Sequence, residues 1–343
     1  RAHFPVVEGE KDGESPDYEP IKLSKRRSTA RSGKTKAPPE HFTTVAAELG
    51  STGLPIPLWS PTEHAPLLDN KSDDNDTRNI TSKSVSALDG VFHINDLLTP
   101  LECQRFIDST ELCGYSRDAP ANKSYANFEQ VANVNWLVQN RLNDELLSRC
   151  LPFVPASIPE ADLKAVPGPN FAGGADVADR EAQQMQLLSQ LDGPVSLQGL
   201  NPRYRFYRYS VSDFLKPHTD WPVDMHHNCI DAEGNMVVNE DSSRFSLLTF
   251  LLFLNDDFDG GATRFFDRST DTTDLVLHED TGEWRRTTTS DVETGVGVHS
   301  SPGSALVFFN GMHPHSPLHA SDAIMAGSKY VLRTEFLFSN ASE

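Results

Sequence analysis

The sequence predicts a mainly β chain, a sandwich or double-sheet jelly roll in its C-terminal part, with support helices only ahead of it. After Gly199 the apolar residues switch to a period of two, first in Arg203 to Tyr209 (RYRFYRY). Further short runs follow at Arg244 to Asn255, Ala262 to Phe266, Val296 to His299, Ser304 to Phe309 and Tyr330 to Phe338. Asp-Gly, Gly-Gly and Pro-Gly turns separate them, which speaks against a βαβ chain.

Taken in order, residues 1–85 are rich in Ser, Thr, Pro, Lys and Asp, a composition that cannot bury enough surface to order itself, and they read as a disordered tail or stalk. Within them Lys22 to Lys36 carries seven basic residues, read as a solvated linker ahead of a nuclear address or a membrane-surface contact. Residues 86–198 read as a helical support region with a loop. A short strand after Gly90 (VFHIN) leads to Thr99-Pro100-Leu101-Glu102, where an N-cap threonine, a proline at the first helical position and a glutamate three residues on signal a helix start. A second helix is expected across Trp136 to Cys150, where Leu137, Leu142, Leu146 and Leu147 share a face. Residues 152–200 open with prolines and glycines, then a polar helical stretch near Glu181 to Leu191, and read as a loop over the site. Residues 199–340 are the β domain.

Thirty basic against 49 acidic residues give a net charge of −19, which argues against a duplex nucleic-acid partner and suits a basic ligand or basic protein segment better. Cys103, Cys113, Cys150 and Cys229 lack zinc-type spacing, so a thiolate metal site is not expected. No run of 18 apolar residues is present, so no membrane span is expected. Asn75, Asn79, Asn122 and Asn340 each begin an Asn-x-Ser/Thr sequon, and the start at Arg1 leaves room for an upstream signal or anchor.

The chemistry concentrates around Phe214 to Asp220 (FLKPHTD). On a strand, His218 and Asp220 project from one face, so an imidazole and a carboxylate can reach one ion. Two histidines and one carboxylate on one side of an ion leave adjacent positions open for a co-substrate and O2, the arrangement of non-haem Fe(II) enzymes. A third donor is sought among His313, His315 and His319, which lie between two expected strands. Capping a turn or lying at the surface is the bland alternative for each. Lys329 and Arg333, on the next strand, are candidates to pair with the far carboxylate of a dicarboxylate co-substrate.

The series GLNPRYRFYRYSVSDFLKPHTD, LLTFLLFLNDDFDGGATRFF, PGSALVFFNGMHPHSPLHA and AGSKYVLRTEFLF resembles the 2-oxoglutarate and Fe(II)-dependent dioxygenases of the prolyl 4-hydroxylase type, over about residues 95–338. The resemblance implies a double-stranded β-helix. It also implies hydroxylation coupled to decarboxylation of 2-oxoglutarate to succinate and CO2, with O2 consumed and ascorbate keeping the iron reduced. His218 and Asp220 then correspond to the first two iron ligands. The family's spacing of ten between the last histidine and the co-substrate cation matches His319 with Lys329, with His315 as the fallback. Tyr209 stands where the family carries a tyrosine near the co-substrate, and Gly260-Gly261-Ala262-Thr263 matches a structural turn. Polar insertions at Met225 to Ser243 and Asp267 to Val298 exceed the family's length and are expected at the mouth of the site.

The expected substrate is a peptide or protein side chain, proline first. The alternatives are the same chemistry on a free amino acid or small metabolite, and a non-catalytic jelly-roll binding module. The sequons and the family favour the endoplasmic reticulum or secretory pathway, with cytoplasm as the alternative.

Overall fold

The computed structural model describes residues 38–49, 55–69, 78–86, 88–117, 131–138, 141–163, 193–220, 227–230, 236–239, 244–287, 292–293, 295–311 and 313–340. The expected helical stretch near Glu181 to Leu191 lies outside them.

The first difference from the sequence reading falls in the supposed tail. Strands β1 (Phe42–Leu49) and β2 (Pro55–Pro61) form an antiparallel hairpin, and β3 (Thr81–Ser84) pairs with β4 (Val91–Asn95). Residues 38–49 and 55–69 therefore do not belong to a tail. Phe42, Leu58 and Trp59 are buried, and the Phe42 ring lies 4.7 Å from that of Trp136. Three of the prolines that suggested disorder, Pro55, Pro57 and Pro61, lie on β2, which pairs along its length with the edge strand β1 and meets β5 at Trp59.

Helix α1 (Pro100–Cys113) starts as the sequence predicts. Glu102 N donates to Thr99 Oγ1 at 3.2 Å and Thr99 N donates to Glu102 Oε2 at 2.8 Å, a complete capping box. The expected second helix divides. Its first residues belong to β5 (Ala132–Leu137), and only α2 (Arg141–Cys150) is helical. Trp136 pairs across β5 with Tyr204, and this sheet pairing outweighs the helical leucine spacing. Arg149 and Arg78 close on the fully buried Glu102, with Arg149 Nη2 to Glu102 Oε1 at 2.8 Å, so the two helices are joined by a satisfied charge cluster.

The remaining strands are β6 (Ser157–Ile158), β7 (Val195–Leu200), β8 (Arg203–Tyr209), β9 (Leu215–His218), β10 (His227–Ile230), β11 (Met236–Asn239), β12 (Phe245–Phe253), β13 (Asp259–Gly260), β14 (Thr263–Phe266), β15 (Leu275–Leu277), β16 (Trp284–Thr287), β17 (Val292–Glu293), β18 (Val296–Val298), β19 (Ala305–Phe309), β20 (Leu318–Ser321), β21 (Ile324–Ala326) and β22 (Lys329–Asn340). The major sheet runs β1-β2-β5-β8-β22-β12-β19-β4-β3, and the minor sheet runs β18-β14-β20-β9. Each expected strand after residue 199 is present to within a few residues.

Two layers, antiparallel apart from the β2–β5 pairing, thus face each other, the double-stranded β-helix of a jelly roll. Between them lie Tyr207, Tyr209, Phe253, Phe265 and Phe308, with the Phe265 and Phe308 rings edge to face at 5.6 Å. The other face of the major sheet packs Trp136, Tyr204, Phe206, Phe250 and Phe336 against α1 and α2. Each such fully buried aromatic contributes roughly 1.5–3 kcal/mol from area burial alone.

One insertion is not where its length suggests. Between residues 267 and 293, β15, β16 and β17 form a small sheet, and Leu275 and Trp284 pack with Phe266, Leu318 and Ala320. Phe266 and Leu318 point away from the interior that Phe265 and His319 face, so this insertion plates the outside of the minor sheet. Buried Arg264 anchors it by pairing with Asp322 at 2.7 Å and Glu283 at 3.0 Å. Most of the other insertion lies outside the described residues, apart from the β10–β11 hairpin.

Candidate metal centre

The minor sheet brings the expected donors together. β20 pairs with β9 so that His319 lies directly opposite His218, and their ring centroids are 4.4 Å apart. β9 ends at His218 and Asp220 lies two residues beyond it, outside the strand, where its backbone carbonyl accepts from Gly311 N at 2.7 Å. One donor atom from each of His218, Asp220 and His319 lies within 4.8 Å of the other two. His315, the fallback, is exposed ahead of β20 and outside this cluster, and His313 is buried against Phe309 with ring centroids at 3.6 Å.

Hydrogen bonding fixes which imidazole nitrogens face the centre. His218 Nδ1 meets the Lys216 carbonyl at 2.7 Å and His319 Nδ1 meets the Pro317 carbonyl at 3.1 Å. A carbonyl only accepts, so both Nδ1 atoms carry a proton, and in the neutral imidazole the lone pair is then on Nε2. The Nε2 atoms point at the two oxygens of Asp220, His218 to Oδ1 at 3.5 Å and His319 to Oδ2 at 3.8 Å.

Protonation states suit a cation. Burial first, then the neighbouring His218, lowers the pKa of His319 to about 4, so it is a neutral imidazole at physiological pH. Burial works against ionising Asp220, but Arg333, His319 and His218 outweigh it and hold the carboxyl well below the usual carboxylate range. Two imidazole nitrogens and one carboxylate oxygen form a donor set that fits Fe(II) and leaves neighbouring positions free.

The major sheet supplies the opposite wall. Thr249 Oγ1 donates to Asp220 Oδ2 at 2.8 Å, and Arg333 Nη2 lies 3.1 Å from Asp220 Oδ1 and 3.3 Å from Glu335 Oε1. Glu335 also accepts from Asn201 Nδ2 at 3.0 Å. Neither Thr249 nor Glu335 is among the residues the sequence points to, although Thr249 in FSLLTFLLF and Glu335 in YVLRTEFLF are polar breaks in buried strands. Arg333, expected beside the co-substrate, instead spans the two carboxylates.

Lys329 and Tyr209 sit directly opposite each other on β22 and β8, with Lys329 Nζ 5.2 Å from the Tyr209 ring centroid. Lys329 is 2% exposed and donates to the Gly261 carbonyl at 2.6 Å. Burial lowers its pKa to about 7, with Asp322 partly opposing the shift. Gly261 has φ +64°, and a Cβ there would come 2.4 Å from Ile324 Cδ1, so the turn that offers Lys329 this carbonyl requires glycine. A cavity of about 250 Å3 opens beside Lys329, walled by Phe253 and Val298.

No curated protein sequence matches the chain. Among solved structures it is similar to a viral collagen prolyl hydroxylase from Paramecium Bursaria Chlorella virus-1, at 11% identity over 73% of this chain and 96% of that one, with a TM-score of 0.34. It is similar to a Pseudomonas putida prolyl-4-hydroxylase at 13% identity over 79% of this chain and 97% of that one, TM-score 0.30. A Trichoplax adhaerens prolyl hydroxylase, solved with a peptide fragment of the hypoxia inducible factor oxygen degradation domain, is similar at 13% identity over 72% of this chain and 83% of that one, TM-score 0.36. Residues 204–334 match the family model of the 2OG-Fe(II) oxygenase superfamily. That segment contains the three converging donors and the buried lysine, and it is a 2OG-Fe(II) oxygenase domain, which makes the protein a 2-oxoglutarate- and Fe(II)-dependent dioxygenase.

Proposed function

We propose that the protein hydroxylates a peptidyl side chain, with proline the first residue to test, at an iron held by His218, Asp220 and His319. The observation that carries the reading is the convergence of these donors within 4.8 Å, inside the matched segment and facing a wall that holds a buried lysine ten residues beyond His319. The order of motifs from Tyr209 to Lys329, similar to that of the prolyl 4-hydroxylases, supports the choice of peptidyl proline over a free metabolite.

Each residue then has a task. When bound, Fe(II) with 2-oxoglutarate and O2 supplies the oxidation, which releases succinate and CO2 and leaves one oxygen atom on the substrate. His218 and His319 present Nε2 lone pairs already oriented by their carbonyl partners. Asp220 supplies the negative charge and is held in one orientation by Thr249 and Arg333. A carboxylate at this position, where a small residue would leave room for a halide, favours hydroxylation over halogenation. Lys329 binds the far carboxylate of 2-oxoglutarate from the floor of its cavity, with Tyr209 alongside. Phe308 and Phe265, packed against the His319 ring at 4.8 and 5.9 Å, keep water from that side of the centre. Ascorbate is included in the proposal as the reductant that restores Fe(II).

The test is succinate formation from 2-oxoglutarate with Fe(II) and ascorbate, with and without a proline-rich peptide, followed by mass analysis of the peptide. Peptide-stimulated succinate and a gain of one oxygen are expected. Turnover unchanged by any peptide would redirect the search to small molecules.

A further inference from the structure

The pleat of β8 sends Tyr204, Phe206 and Arg208 toward the helices and Arg205, Tyr207 and Tyr209 into the interior. Arg205 therefore shares the interior with the metal centre. It lies directly opposite Arg333 on one side and Asn135 on the other. Neighbouring strands are about 4.8 Å apart, so Arg333, Arg205 and Asn135 form a row leading roughly 10 Å away from Asp220 along the wall.

The row is left unsatisfied in two places. Arg333 has Asp220 and Glu335 as counter-charges, but among the described residues nothing pairs with the Arg205 guanidinium. Like charges directly opposite across a sheet repel, so Arg205 beside Arg333 is a costly arrangement unless an anion joins it. Asn135 is 3% exposed; its Nδ2 donates to Asn133 Oδ1 at 3.2 Å, and its Oδ1, also buried, has no hydrogen-bond partner among the described residues. A buried acceptor of this kind calls for an N–H or O–H from a ligand.

We propose that Arg205 and Asn135 form a substrate anchor that selects a carboxylate next to the residue being hydroxylated. Arg205 receives the carboxylate as a bidentate partner, and Asn135 Oδ1 accepts an adjacent N–H. The protein's net charge of −19 repels anions at long range, so a selected acidic substrate needs a local cation of this kind. The inference rests on the hydroxylase reading, and it names the substrate class for that site. The same chemistry could come from an acidic side chain in a peptide or from a free amino acid.

The test is fluorescence anisotropy on the full chain loaded with Mn(II) and saturating 2-oxoglutarate, which occupies the co-substrate cavity. The probes are an amidated, labelled proline-rich peptide with glutamate beside each proline, and its glutamine counterpart. The wild type is expected to bind the glutamate peptide roughly tenfold more tightly. Arg205→Gln is expected to remove that preference and Arg205→Lys to keep part of it. Arg141→Gln, which removes an exposed charge on α2, keeps all of it. Equal affinity of the wild type for the two peptides, or a preference that survives Arg205→Gln, overturns the anchor. Should Arg205→Gln not fold, the wild-type comparison decides alone. Displacement of the glutamate peptide by comparable concentrations of L-glutamate would identify a free acid as the source, and its absence a peptide. Because binding is read without turnover, failure here is separable from failure of the hydroxylase reading, which shows as absent iron-dependent succinate.

Discussion

The two faces of the major sheet are built from the same strands and carry opposite chemistry. On β22, Leu332, Phe336 and Phe338 face the helices, while Lys329, Arg333 and Glu335 face the minor sheet. On β12, Phe250 and Leu252 face the helices, while Thr249 reaches Asp220. The period of two lets one strand hold the fold together on one side and position polar groups on the other. The comparison teaches that stability and chemistry should separate by the parity of the residue mutated.

The largest effect should come from the centre itself. Asp220→Ala or His319→Ala should lower iron-dependent succinate formation beyond the roughly 10–100-fold expected on removing an outer partner of a metal ligand, with cooperative unfolding retained. Phe336→Ala, on the helix face, should do the reverse. It empties a fully buried site beside Phe250 and should cost about 3–5 kcal/mol, seen as a fall in the urea midpoint, while molecules that remain folded keep their affinity for 2-oxoglutarate. If both changes damage stability and chemistry alike, the separation of faces is wrong.

Both faces were partly readable in the sequence. The capping box at Thr99 and Glu102 and the strands after residue 199 are local patterns, so spacing alone revealed them. His218 and Asp220 were readable for the same reason. What decides between His319 and His315 is the register of β20 on β9, a pairing across about a hundred residues that only the likeness to a family anticipated. Likewise β1 and β2 were unreadable, because their order comes from attachment to β5 and from contacts such as Phe42 on Trp136. Trp136 itself falls within the helix that the sequence predicts, since leucine spacing is visible locally and its strand partner Tyr204 is not.

Smaller effects sharpen the picture of the interior face. Lys329→Met should raise the KM for 2-oxoglutarate by about tenfold or more, since it removes a charged partner of a buried carboxylate. Thr249→Val should weaken Fe(II) binding about tenfold by freeing the Asp220 carboxylate. The pH dependence should be gentler still. With its pKa lowered to about 7, unliganded Lys329 loses its proton as pH rises through neutrality. A bound carboxylate favours the protonated form, so binding takes up a proton and affinity for 2-oxoglutarate should fall between pH 7 and 8.5. Calorimetry in buffers of different ionisation enthalpy would detect that uptake, and Lys329→Arg should abolish it.

The most direct test of the central claim, that His218, Asp220 and His319 together hold a catalytic iron, is a paired measurement on the wild type and Asp220→Ala. Iron retained after anaerobic dialysis against Fe(II) and succinate formed from 2-oxoglutarate would be measured on the same samples. One iron per chain with Fe(II)-dependent succinate in the wild type, and loss of both in Asp220→Ala, is the result predicted. Iron binding and turnover undiminished in Asp220→Ala would contradict the assignment and place the chemistry elsewhere in the chain.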